Sequence, residues 1–111
     1  MTSLLEKARE LGQAIKESAE FQELKRTTDN LQQNPEAVEM IRHMQEIRDQ
    51  IDFVRASGLE PSREQIDRFN DLSEKVRNNL LVISFMKAQE NFGKFMERVN
   101  NAISQGIEGA D

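Results

Sequence analysis

Apolar residues recur three and four positions apart along almost the whole chain, the spacing of helices with one buried face. Leu4, Ala8, Leu11 and Ile15 open the series on one narrow stripe. Phe21, Leu24 and Leu31 follow, with Thr28 between them at the same spacing. Met40, Met44, Ile47, Ile51 and Val54 make a third stripe, widened by Ala37 and Ile41. Ile66, Phe69, Leu72, Ser73 and Val76 line a fourth helix. Leu81, Phe85, Ala88, Phe92, Phe95, Met96, Val99, Ala102 and Ile103 cover one broad face of a fifth. No segment reads as a strand.

The breaks between these runs carry helix-start chemistry. Ser3 with Glu6, and Ser62 with Gln65, have the spacing of capping boxes, in which two side chains satisfy orphan backbone N–H groups. Ser18 is a further candidate cap, so a soft break is expected between Lys16 and Ala19. Asn34-Pro35 is the clearest mark: Asn caps well, and Pro is preset for the first helical turn. The third helix should run from Pro35 to about Ala56, where Gly58 suits the left-handed position that ends a helix. Asn78-Asn79 is a weaker break before a fifth helix expected over about Leu80 to Ser104.

The fold expected is all-α: an elongated bundle of about five helices, short, short, long, medium and long, oligomerising through the long ones. Residues 1–104 form one helical domain, and residues 105–111, with Gly106 and Gly109, form a tail expected to fray. A helix of about 25 residues is roughly 37 Å long, which makes a small chain elongated and leaves stripes uncovered.

Some apolar residues exceed what one face needs. Val38 and Phe53 lie off the main stripe of the third helix. Leu80, Leu81, Val82, Ile83, Phe85 and Met86 surround the start of the fifth, and a helix apolar all round must be buried all round. These eight residues are the candidate oligomer or partner interface. The alternative is cover from within the chain, by the short second helix and the 57–61 loop.

Composition narrows the function. The 111 residues carry 15 Lys plus Arg against 20 Asp plus Glu, a net charge of -5, with one His and no Cys. No disulfide, thiolate site or Cys nucleophile is available, and an ordinary zinc site lacks ligands. The acidic balance argues against gripping phosphate backbones by bulk charge. No apolar run approaches the roughly 20 residues that span a bilayer. Met1 to Arg9 show no basic and apolar leader, so the cytoplasm is the expected compartment.

Little chemistry remains. His43 has Glu39 and Glu46 one turn to either side, which could orient a general base. A di-iron bundle would need a Glu-x-x-His motif from each of two helices, and no Glu stands three residues before His43. Asp49 with Asp52, and Asp67 with Asp71, sit among Arg48, Arg55, Arg68 and Lys75 on polar faces. Ser3, Ser18 and Ser62 serve as caps. No phosphate-binding or nucleophile motif is present. No catalytic, cofactor-binding or metal-binding residue is therefore assigned.

The layout as a whole is informative. A short capped helix with Leu4, Ala8, Leu11 and Ile15 precedes Ser18-Ala-Glu-Phe21-Gln-Glu-Leu24. Asn34-Pro35-Glu36, a Met/Ile-rich helix and a Gly-containing loop follow. The chain then ends on Asn79-x-x-Val82-Ile-Ser-Phe-Met-Lys-Ala88-Gln-Glu-Asn-Phe92 and Val99 to Ile103. This resembles the YlbF/YmcA family of small bacterial helical proteins. The resemblance implies a helical bundle that dimerises or assembles further. It implies a non-catalytic regulatory subunit of a cytoplasmic complex, linked to competence, sporulation and biofilm development and to RNase Y-dependent mRNA maturation. Relatives with iron–sulfur clusters carry a cysteine-rich tail that this chain lacks, so no cofactor is expected. The expected partners are a second copy, a family paralogue or another protein, with neither membrane nor direct nucleic-acid binding. The competing readings are a prefoldin-like chaperone of two long helices and a nucleic-acid-associated helical protein, which would gather Lys7, Arg9, Lys16, Lys25 and Arg26 into one patch.

Overall fold

Each helix of this chain starts where a polar side chain can take over an unpaired backbone donor. The computed structural model describes residues 3–109. Among them it contains α1 (Leu4–Glu17), α2 (Ala19–Gln32), α3 (Pro35–Ala56), α4 (Arg63–Arg77) and α5 (Leu80–Glu108). The Ser3 hydroxyl accepts from the Glu6 N–H, Ser18 from Phe21 and Asn34 from Ala37. Ser62 and Gln65 close a full capping box, and the Asn79 side chain accepts from the Val82 N–H. The soft break thus resolves into a real one at Ser18, whose extended ψ of 151° ends α1 and starts α2. Gly58, at φ 80°, stops α3 in the left-handed region that only glycine enters without cost.

Two helical hairpins share one end. Helix α2 packs antiparallel on α5, and α3 packs on α4. The connections at Gln33-Asn34 and Asn78-Asn79 bring four helix ends together. There Leu31 of α2, Ala37 of α3, Val76 of α4 and Val82 of α5 form the core. Met40, Ile41, Leu81 and Phe85 pack around it. Ten residues further out on the α2–α5 arm, Phe21 meets Phe92. On the α3–α4 arm, Ile47 and Ile51 are buried. Helix α1 touches α2 alone and buries none of its residues.

The result is elongated, 60 × 38 × 20 Å. Its accessible surface is 8674 Å², against about 6,300 Å² for a compact globule of this mass. Five capped helices, four of them in two packed pairs with α1 outside both, also differ from the two-helix clamp of a prefoldin-like chain.

One boundary departs from expectation. Helix α5 continues past Ser104 to Glu108 and ends at Gly109, φ 66°. Residues 105–108 of the tail expected to fray are thus the last turn of α5, and residues 110 and 111 lie outside the described residues. Extending an existing helix adds a hydrogen bond per residue with no new nucleation. That gain outweighs the roughly 1 kcal/mol that Gly106 costs relative to Ala.

Candidate protein-interaction surface

The eight residues singled out for the interface separate into three groups. Val82 is wholly buried in the chain's own core, and Leu81 and Phe85 are half-buried against that core. Val82 alone is a correction, taken up wholly by the chain's own core; the start of α5 is partly covered by α2, α3 and α4 of the same chain, and Leu81 and Phe85 keep part of their surface open. The 57–61 loop takes no part in this cover; its Leu59 is itself exposed.

Leu80, Ile83 and Met86 remain open, at 72%, 41% and 39% exposure. They stand three apart, so they form a ridge that winds around the start of α5. Met86 leads this ridge into an apolar groove between the two hairpins. The groove is lined by Ile41 and Met44 of α3, Val76 of α4, and Val82, Phe85 and Met86 of α5, with Gln45, Arg48 and Gln89 at its polar edge. The methionines lend this lining unbranched, polarizable side chains that adapt to a partner's shape. The sequence singled out Met86 and allowed the methionines, Met44 among them, a docking role second to core filling, whereas Ile41 was read only as core; their spacing does not reveal that α3 and α5 diverge beside them.

Val38 is exposed at the start of α3, next to the buried Ala37 of the same core. Phe53 is exposed too, but it lies roughly 20 Å further along α3 than Met40. Phe53 therefore does not belong to the surface around Leu80.

The candidate chemistry fares differently. His43 is half-exposed on α3, with its Nε2 3.4 Å from a Glu39 carboxylate oxygen. The same Glu39 accepts from the Arg42 guanidinium at 2.6 Å, and Arg42 also reaches Glu46 at 3.2 Å. The hydrogen bond from Arg42 holds the Glu39 carboxyl below its usual pKa. Glu39 and Glu46 thus serve Arg42 in a solvated ladder on a helix surface. An open, polar groove between α3 and α4 runs past His43, with Arg68, Asp71 and Lys75 opposite. It encloses no dry pocket of the kind that tunes a carboxyl for acid–base work. Among the described residues no group of three or more His, Asp or Glu could hold a metal ion. Arg26 of the Lys25-Arg26 pair is engaged by Glu23. No described helix is long and apolar enough to cross a membrane.

Residues 4–108 match the family described as control of competence regulator ComK, YlbF/YmcA. The chain belongs to the YlbF/YmcA family. This family is a regulatory one by that description, and its match spans all five helices. A UPF0342 protein of Lactiplantibacillus plantarum is 26% identical over 106 residues, covering 96% of this chain and 93% of the relative. Another from Desulfitobacterium hafniense is 27% identical over 104 residues, covering 94% and 79%. Among solved structures, a DUF964 protein of unknown function from Bacillus stearothermophilus superposes with a TM-score of 0.76 at 21% identity, covering 95% of this chain and 92% of that one. A chain of the Bacillus subtilis RicA–RicF complex superposes with a TM-score of 0.71 at 22% identity, covering 95% and 93%. These likenesses establish the all-helical fold of the YlbF/YmcA chain.

Proposed function

We propose that this YlbF/YmcA protein is a non-catalytic regulatory subunit of a bacterial cytoplasmic complex, which works by holding other proteins. The observation that carries this reading is the apolar groove between α3 and α5, continued by the open ridge Leu80, Ile83 and Met86. A cleft of adaptable apolar groups edged by polar ones suits an amphipathic helix or a similar protein segment. The family description supplies the regulatory context, and the RicA–RicF complex supplies a structural neighbour that works beside another protein. The partner is a family paralogue or another regulatory protein, and the chain also associates with itself. The output is control of competence and development through RNase Y-dependent maturation of mRNA.

The test is affinity capture from the native cell followed by mass spectrometry, with RNase treatment as a control. Ile83→Glu places a charge on the open ridge without touching the core. The expected result is a discrete protein partner that survives RNase and is lost with Ile83→Glu. Capture that depends on RNA would overturn the reading, as would unaltered binding by Leu80→Glu and Ile83→Glu variants. Sequencing of transcript ends in a strain lacking the protein tests the RNase Y link separately: unchanged cleavage removes that link and leaves the partner.

A further inference from the structure

The apolar groove between α3 and α5 does not end where those helices part. Arg48 stands at its edge and also lines a second cavity further along α3, with Ile51, Asp52 and Arg55 of α3 and Ile66 and Phe69 of α4. The shared residue joins the two into one trough. Helix α4 supplies Val76 to the first part and Phe69 and Ile66 to the second, so the apolar floor continues along the α3–α4 pair. From Ile41 to Arg55 the trough follows α3 for about 21 Å, at 1.5 Å per residue.

The charge of this trough opposes that of the chain. The whole molecule carries a net charge of -5. The charged residues lining the trough are Arg48, Arg55 and Asp52, two positive groups against one negative. Arg42 of the same helix is held by Glu39 and Glu46. Among the described residues, neither Arg48 nor Arg55 is in an ion pair, and both are exposed. Their positions differ by two helical turns on one face, a separation of about 10.5 Å along the axis.

We infer that the trough holds an acidic amphipathic helix of another protein, and that Arg48 and Arg55 select it by pairing with two carboxylates that stand two turns apart on it. The inference rests on the protein-holding role proposed above and names the chemistry of the partner. The apolar floor calls for a partner with an apolar face. The two guanidiniums offer planar forks of donors that match carboxylates. A basic helix would set like charges against both, and such repulsion is a common source of discrimination between partners. Single-stranded nucleic acid also carries anions, but it is held by bases stacked on open aromatic faces, and Phe69 and Phe85 of the trough are half-buried.

A displayed library of helical peptides, each long enough to fill the trough, tests this chemistry. The face meant for the floor carries Leu, Ile, Met or Phe, the flanking positions carry Glu, Lys or Gln at random, and selection is on the full chain. The expected result is enrichment of Glu at two flanking positions two turns apart. Selection on an Arg48→Glu/Arg55→Glu chain should enrich Lys there instead. Peptides selected on the unmodified chain should bind that variant about tenfold more weakly, while its circular dichroism stays helical. If the variant does not fold, Arg48→Gln/Arg55→Gln reads the same loss without the reversal. Enrichment without a preference for Glu, no enrichment, or the same peptides from both chains overturns the inference. Displacement of a selected peptide by a mixed-sequence single-stranded RNA overturns it in favour of nucleic acid. A lower light-scattering mass for the double variant overturns it in favour of a second copy. None of these results touches the capture of a cellular partner through Ile83. Conversely, acidic helices selected where no RNase-resistant partner is captured would remove the regulatory reading and leave the chemistry of the trough in place.

Discussion

Phe21 and Phe92 meet edge to face, with ring centroids 5.8 Å apart and planes inclined at 63°. That geometry suits the quadrupoles of the two rings, and it ties the outer part of α2 to the middle of α5. Phe95 adds a tilted neighbour with its centroid 6.2 Å from Phe92. The pair sits ten residues out from the core at the shared end, beyond the buried Thr27 and Ala88, and with Phe95 it holds the outer part of this arm together.

Phe92→Ala should therefore cost about 2–3 kcal/mol of stability, somewhat under the 3–5 typical of a fully buried Phe because this ring is only half-buried. Phe92→Leu keeps the apolar bulk and should cost about 1 kcal/mol, within the usual range for swaps that conserve volume. A double-mutant cycle with Phe21→Leu should give a coupling of about 0.5–1.5 kcal/mol. Urea titrations of the four proteins supply these values, and zero coupling would mean that the rings merely share a neighbourhood.

Asn79 has two roles. Its carbonyl oxygen accepts from the Val82 N–H at 3.2 Å, and its amide reaches the Met40 sulfur at 3.7 Å. The cap thus starts α5 and fastens it to α3 beside the core. Asn79→Ala should cost about 1 kcal/mol, the usual loss for a cap. Asn79→Ser keeps a capping oxygen and should recover most of that loss. Equal destabilisation by Ala and Ser would shift the credit from the cap to the Met40 contact.

The helices were legible because their signals are local. Ser18, Asn34 and Ser62 act on the three residues after them, and each caps the helix it was expected to cap; Asn79, read only as part of a weak break, caps α5. The pairing of helices was not legible. Val82 illustrates why: its neighbours Leu80, Leu81 and Ile83 make every side of α5 look equally apolar, yet Leu31 and Ala37, remote in sequence, and Val76, across the Asn78-Asn79 break, bury Val82 and leave Leu80 and Ile83 open. The periodicity of α3 likewise assigns Met44 to a stripe without revealing that α3 and α5 part company there and leave a groove. Phe53, off the stripe of α3, was grouped with Leu80, on the all-round apolar start of α5, because both exceed what one buried face needs, a test that carries no information about distance.

Gly93 lies within α5, and a Cβ built there meets nothing within 4 Å. Its backbone is ordinary helix, so the glycine contributes only conformational freedom to the unfolded chain. Gly93→Ala should stabilise by about 0.5–1 kcal/mol, which for a domain of this size raises Tm by about 2–8 °C. Scanning calorimetry of the variant checks this. A fall in Tm would mean that another molecule packs against that face of α5.

His43→Ala should leave function intact. The imidazole is half-exposed, and Glu39, the carboxylate it meets at 3.4 Å, is already taken by Arg42. A lone imidazole can carry a proton, but without a substrate held against it the gain in rate is small. The measurement is complementation of a strain lacking the protein, run beside partner capture with the same variant. Full complementation is expected, with the partner retained. A folded variant that keeps its partner but fails to complement would point to chemistry at His43 and against a purely binding role. A variant that loses both would move the binding surface from the α3–α5 groove to the polar groove between α3 and α4, where Arg68, Asp71 and Lys75 face His43.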